Sequence, residues 1–292
     1  MTNFGGVITA MVTPFTDQGE VHYEEACRLA VYLLDHGSDM ILLAGTTGES
    51  PTLTHDEELQ LFKEVVAAVK GKGRVMAGTG SNCTRTAIAS SEAAANCGVD
   101  ALLQVVPYYN KPPQIGLKQH FLAVAEATDL PVMLYNIPGR TGISLEVDTV
   151  EVLAQHPRIV AIKEASGSVD QVKALKQALP ADFMIYSGDD ALTLAFMQEG
   201  AVGVVSVAAH CAGLAISSMV RAFKAGNKEE AERLHAALLP LFDVLFITAN
   251  PIPVKAALAH AGFKVGVPRL PLVAASDAER LAVVKVLETG AW

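Results

Sequence analysis

Hydrophobic and polar positions along this chain repeat as blocks: a short apolar run, a polar or Gly-containing turn, then a segment with helical periodicity. Eight apolar runs predict strands over residues 6–13, 40–45, 75–78, 101–107, 132–136, 160–164, 184–187 and 203–207. Each is apolar on both faces, as parallel strands covered by helices should be. Helical spacing predicts helices over residues 55–70, 84–97, 114–127, 145–155 and 169–178. Thr54 followed by Glu57 has the form of a capping box, and Ser168 or Asp170 can cap the helix after the sixth strand. Eight such units in roughly 220 residues predict an α/β fold, the closed (β/α)8 TIM barrel, in preference to a doubly wound sheet. Beyond about residue 225 the strand pattern stops, and segments 228–248, 254–261 and 277–287 predict helices. The expected organisation is a barrel over residues 1–224 with a C-terminal helical segment, 225–292, packed on it.

Composition narrows the function classes. A chain of 292 residues with 51% hydrophobic content can bury a large core. The formal charge of −9 argues against nucleic acid or an anionic membrane as partner. Cys27, Cys83, Cys97 and Cys211 are scattered without CxxC spacing, which suits reduced thiols in a cytoplasmic protein. The N-terminus lacks the basic and apolar regions of a signal peptide, and no apolar stretch reaches the roughly 20 residues that span a bilayer. The histidines show no HxxxH or HxH clustering, so no metal site is expected, and Gly78-Thr-Gly80 lacks the third glycine and the acidic partner of a dinucleotide fingerprint, so no cofactor is expected.

Lys163 is the residue that does not fit its surroundings. It interrupts the β-branched run Ile159-Val-Ala-Ile-Lys163-Glu-Ala-Ser166 near its C-terminal end. Burial drives an ammonium toward the free amine, and a free amine is a nucleophile toward carbonyl carbon. Barrel enzymes place their chemistry at the C-terminal ends of strands. Unusual polar residues collect there: Gly45-Thr-Thr-Gly-Glu-Ser50, Gly78-Thr-Gly-Ser-Asn82, Pro107-Tyr-Tyr-Asn-Lys-Pro112, Tyr135-Asn-Ile-Pro-Gly-Arg-Thr141 and Ser187-Gly-Asp-Asp190. Tyr135 and Lys163 each lie four residues into their segments, so adjacent strands should present phenol and amine at similar depth, a plausible acid/base pairing. Gly45-Thr-Thr-Gly48 offers N–H and O–H donors for a carboxylate. Arg140, in a tight Pro-Gly-Arg turn, offers a permanently charged fork for another.

Taken in order, these motifs resemble the dihydrodipicolinate synthase family, a branch of the pyruvate-dependent class I aldolases typified by N-acetylneuraminate lyase. The likeness extends to Asn250-Pro-Ile-Pro-Val-Lys255. It implies that Lys163 forms an imine with pyruvate and that the derived enamine attacks aspartate-4-semialdehyde. Thr46 and Thr47 match the positions that hold the pyruvate carboxylate, with Thr46 also in a hydroxyl relay with Tyr135 and Tyr109. Tyr109 matches the tyrosine this family inserts into a neighbouring subunit's site, which implies a homo-oligomer, a tetramer built as a dimer of dimers. Arg140 matches the residue for the semialdehyde carboxylate, and Gly188 and Val205 match backbone positions lining the pocket. Ser50, His55, Glu58, Asn82 and Tyr108 match an interface site for the inhibitor lysine. Glu58 there replaces a frequent histidine and Thr86 a frequent glutamate, and lysine feedback is expected. Two other readings stay open: a lyase releasing pyruvate from N-acetylneuraminate or a 2-keto-3-deoxy sugar acid, and a catalytically idle barrel serving as a scaffold. Arg140 weighs against the first, because the sugar-acid lyases carry no arginine in this turn. A metal-dependent hydrolase is disfavoured by the histidine spacing.

Overall fold

A computed structural model describes residues 3–292 of the chain. Eight strands follow one another in parallel, sequence order around a closed barrel: β1 (Val7–Ala10), β2 (Met40–Leu43), β3 (Arg74–Gly78), β4 (Ala101–Val105), β5 (Val132–Asn136), β6 (Ile159–Glu164), β7 (Met184–Ser187) and β8 (Gly203–Ser206). The helices between them are α1 (Tyr23–Asp35), α2 (His55–Ala68), α3 (Thr84–Asn96), α4 (Gln114–Glu126), α5 (Pro138–Thr141), α6 (Val147–Leu153), α7 (Val169–Ala178) and α8 (Thr193–Gln198). After the last strand come α9 (Ala209–Lys224), α10 (Lys228–Val244), α11 (Ile252–His260) and α12 (Asp277–Thr289). The (β/α)8 expectation is met: β1, β2, β4 and β8 are shorter than their apolar runs, whose last residues leave the ladder for the rim loops, β5 and β7 match theirs, and β3 and β6 begin one residue earlier.

Two compact units divide the chain: Met76–Val205, and Phe4–Val75 with Ser206–Trp292. In the first, β4 through β7 pair in parallel with one register shift between β5 and β6, and Val132, Met133, Leu134 and Ile162 are fully buried on both sides of the β5–β6 seam. Helix α7 begins where Ser168 accepts from the Gln171 N–H, as the sequence pattern predicts. In the second unit, Thr54 and Glu57 form the reciprocal capping box of α2. His210, buried in α9, accepts from the Val12 N–H through Nε2 (3.1 Å) and hydrogen-bonds the Val207 carbonyl through Nδ1 (2.8 Å). An imidazole that accepts at Nε2 must carry its proton on Nδ1, and burial holds its pKa down at about 4. It ties the end of β1 to the chain leaving β8. Helices α1, α5, α8 and α9 lie outside the segments named from periodicity; in α9 the backbone leaves helical geometry at Ala212, while His210, Gly213, Ile216, Ser217 and Val220 keep a buried stripe at helical spacing.

Candidate active site

In the unit Met76–Val205, strand pairing sets Tyr135 directly opposite Lys163. The four-residue count behind that expectation succeeds for an additional reason: Val132 pairs with Ile159 but Met133 with Ala161, so β6 takes up one extra residue. Lys163 is only 6% exposed, and its Nζ lies 4.2 Å from the centroid of the Tyr135 ring. Among the described residues no carboxylate forms an ion pair with it. Alternation sends the next side chain the other way. Glu164 is buried behind the strand, where it accepts from Asn136 Nδ2 (2.9 Å) and the Ser166 N–H (2.7 Å). Burial raises its pKa despite those bonds. Asn136 also accepts from the Leu145 N–H, so this pair clamps the rim ends of β5 and β6.

Gly188 follows β7 and closes against the same lysine. Its N–H donates to the Glu164 carbonyl (2.8 Å), and a methyl group at this position would stand 3.0 Å from Lys163 Cε and 2.7 Å from Ala165 Cβ. Val205 is buried on β8. Arg140 is exposed; its expected turn is the single helical turn α5, closed by bonds from the Arg140 and Thr141 N–H groups to the Ile137 carbonyl. Tyr109 is 89% exposed at φ 74°, and the Asn110 N–H donates to the Tyr108 carbonyl across it (2.9 Å). A bulky residue centred in a three-residue turn at positive φ is strained. Tyr108 is exposed, and Asn82 offers its carbonyl to Asn110 Nδ2 (2.8 Å).

In the other unit, the loop after β2 carries Thr46 and Thr47. Glu49 takes the left-handed conformation (φ 57°). Thr13 Oγ1 donates to the Gly48 carbonyl (2.6 Å). Thr47 is buried, and its Oγ1 accepts from Asn250 Nδ2 at 2.9 Å, while Thr46 is half-buried. Ser50 donates to Glu58 Oε1 (3.0 Å), and burial pushes the Glu58 carboxyl up to about 7 although that bond opposes it. His55 begins α2 and is exposed, as is Thr86 at the start of α3.

The structure shows a supporting network that the sequence patterns do not single out. Lys255, 2% exposed, pairs with Glu49 Oε1 at 2.6 Å, and its Nζ sits 4.1 Å from the centroid of Phe15. Burial lowers the Lys255 pKa to about 8 against the pull of Glu49. The Arg269 N–H donates to Glu49 Oε2 (2.9 Å), and its guanidinium bonds Glu57 bidentately and the Thr52 carbonyl (2.7 Å). A signal was present: Lys255 interrupts an apolar helix as Lys163 interrupts an apolar strand. No group of three or more His, Cys, Asp or Glu side chains among the described residues could hold a metal ion. Among the described residues no helix is long and apolar enough to cross a membrane.

Comparison with known proteins adds a family. The Dihydrodipicolinate synthetase family matches residues 3–290. A 4-hydroxy-tetrahydrodipicolinate synthase from Synechococcus elongatus is 58% identical over 285 residues, covering 97% of this chain and 95% of the relative. A crystal structure of DHDPS from Cyanidioschyzon merolae with lysine bound has TM-score 0.96 and 52% identity, covering 98% of this chain and 97% of that one. A dihydrodipicolinate synthase from Bacillus anthracis superposes with TM-score 0.96 at 46% identity, covering 99% of both chains.

Proposed function

The chain belongs to the dihydrodipicolinate synthetase family, and from that premise we propose that it is a Schiff-base enzyme condensing pyruvate with L-aspartate-4-semialdehyde in lysine and diaminopimelate biosynthesis. The observation that carries this reading is a buried lysine without a carboxylate partner, 4.2 Å from the ring of the tyrosine paired with it across the β5–β6 seam. Identities of 53–58% to relatives named for the synthase favour it over the sugar-acid lyase.

Lys163 Nζ attacks the pyruvate ketone, and the carbinolamine loses water to give the imine. Loss of a proton from the methyl carbon gives the enamine, whose carbon bonds to the aldehyde carbon of the second substrate. The amine of the joined product then attacks the imine carbon, which closes the ring and releases Lys163. These steps need a group that exchanges protons beside Nζ, the role assigned to Tyr135, with Thr46 and Tyr109 completing a hydroxyl relay. Thr46 and Thr47 take the pyruvate carboxylate, Arg140 the semialdehyde carboxylate, and Gly188 and Val205 shape the pocket. The exposure and strain of Tyr109 support its insertion into a second copy of the chain in a homotetramer built as a dimer of dimers. Lysine feedback through Ser50, His55, Glu58, Asn82 and Tyr108 belongs to the same reading, supported by a 52% identical neighbour solved with lysine bound.

Borohydride reduction in the presence of pyruvate, followed by peptide mass spectrometry, tests the proposal. A reduced pyruvyl adduct on Lys163, absent from Lys163→Ala, is expected. An unmodified Lys163, or a Lys163→Ala enzyme with parental turnover, overturns it.

A further inference from the structure

We infer that Asn250 is a positioning residue for the keto-acid carboxylate, acting through Thr47; this rests on the carboxylate role proposed for Thr47. A hydroxyl has one proton to give and two lone pairs with which to accept. The Asn250 amide N–H donates to Thr47 Oγ1 at 2.9 Å, and both side chains are buried. The amide therefore occupies a lone pair of Thr47 and leaves its only proton free for an anion. A donating amide also polarises the hydroxyl it feeds and makes it a stronger donor. The opposite polarity, a carboxylate or carbonyl at position 250, would consume that proton and turn an oxygen lone pair toward the substrate's negative charge.

The rest of the loop is held without Asn250. Thr13 donates to the Gly48 carbonyl, Lys255 pairs with Glu49, and the Arg269 N–H reaches the other Glu49 oxygen. The loop backbone is anchored directly after Thr47, at Gly48 and Glu49, and closed on itself by the Glu49 N–H bond to the Thr46 carbonyl, while the hydroxyl's direction of donation depends on Asn250. Asn250 Oδ1 is buried and has no hydrogen-bond partner, so among the described groups it is the N–H of this amide that is used.

The reversal of polarity makes the inference testable. Asn250→Ala removes the donor but leaves Thr47 able to donate, whereas Asn250→Asp keeps the shape and replaces the donor with an acceptor. The readout is the pyruvate dependence of borohydride inactivation, together with KM for each substrate and a thermal melt. A hydrogen bond to a charged group corresponds to about a 10- to 100-fold change in affinity. Asn250→Asp should weaken pyruvate by that factor, Asn250→Ala by about threefold to tenfold, with KM for the second substrate little changed. Equal losses in the two variants, a milder loss in Asn250→Asp, or losses shared by both substrates overturn the inference. If Asn250→Asp does not fold, a pyruvate-specific loss in Asn250→Ala sustains it and parental pyruvate affinity in that variant overturns it. Failure of the underlying reading looks different: the parent enzyme itself would then give no pyruvate adduct.

Discussion

Gly188→Ala places one methyl group against the Lys163 stem and the Ala165 methyl. The new Cβ would lie 2.7 Å from Ala165 Cβ, 3.0 Å from Lys163 Cε and 3.1 Å from Lys163 Cγ. Carbon atoms in contact prefer about 3.5–4.0 Å, so something must move by roughly 0.5–1 Å. Ala165 is held by its N–H bond to the Asn136 carbonyl (2.8 Å), and Gly188 by its own bond to the Glu164 carbonyl. The lysine stem can give by changing rotamer, whereas the Ala165 contact is relieved only by a small backbone shift. Overpacking of this kind costs about 1–3 kcal/mol, equivalent to a fall in Tm of about 2–5 °C for a chain of this length. Displacing a reacting atom by about 1 Å costs on the order of 100-fold in rate. The variant should fold, melt slightly early, and lose about 10- to 100-fold in the rate of borohydride-trapped adduct formation. A folded Gly188→Ala enzyme with parental trapping and turnover would show that the amine does not work from the position seen here.

Tyr135→Phe keeps the ring beside Lys163 and removes the proton carrier, so kcat should fall by about 10²- to 10⁴-fold with little change in Tm; parental kcat refutes the relay. The guanidinium of Arg269 holds the Glu57 carboxyl down at about 2, below its ordinary value of 4.5. The stabilisation is therefore complete above about pH 4.5 and is lost as pH falls through about 2. After discounting for solvent screening it is worth about 1–2 kcal/mol. Glu57→Gln should lower Tm at pH 7 and converge with the parent near pH 2, whereas a pH-independent difference contradicts the pairing. Glu58, raised to about 7, gains its charge as pH rises through neutrality. Lysine inhibition should strengthen between pH 6 and 8, and Glu58→Gln should flatten that rise; an identical profile in the variant excludes Glu58 as the cation's partner.

The barrel was legible because its elements are local. β7 occupies residues 184–187 and β5 residues 132–136, as their apolar runs predict, and the Thr54–Glu57 capping box forms as its spacing requires. The rim motifs were legible because polar residues stand out at the ends of apolar strands. The helix α9 was not named from the sequence, although its buried positions keep helical spacing across the backbone break at Ala212. The support of the Thr46–Thr47 loop was legible only as Lys255, a cation in an apolar helix; its partner was not. Glu49 meets Lys255 and Arg269 from more than 200 positions away, and no local pattern encodes a partner at that distance.

Lys163 and Lys255 mark the boundary between the two kinds of information. Each is a cation in an apolar segment, each is buried, and each lies just over 4 Å from the centre of an aromatic ring. Residue order alone says of both that an ammonium has been placed where it is costly. The folded chain separates them. Lys255 finds Glu49 at 2.6 Å and becomes half of an internal ion pair. Lys163 meets a phenol ring and, among the described residues, no carboxylate, which is the ground for proposing its amine as the nucleophile. Strand, helix and cap follow from neighbours a few residues apart, whereas the counter-charge that makes one lysine structural comes from the distant loop after β2, and only folding brings the two together.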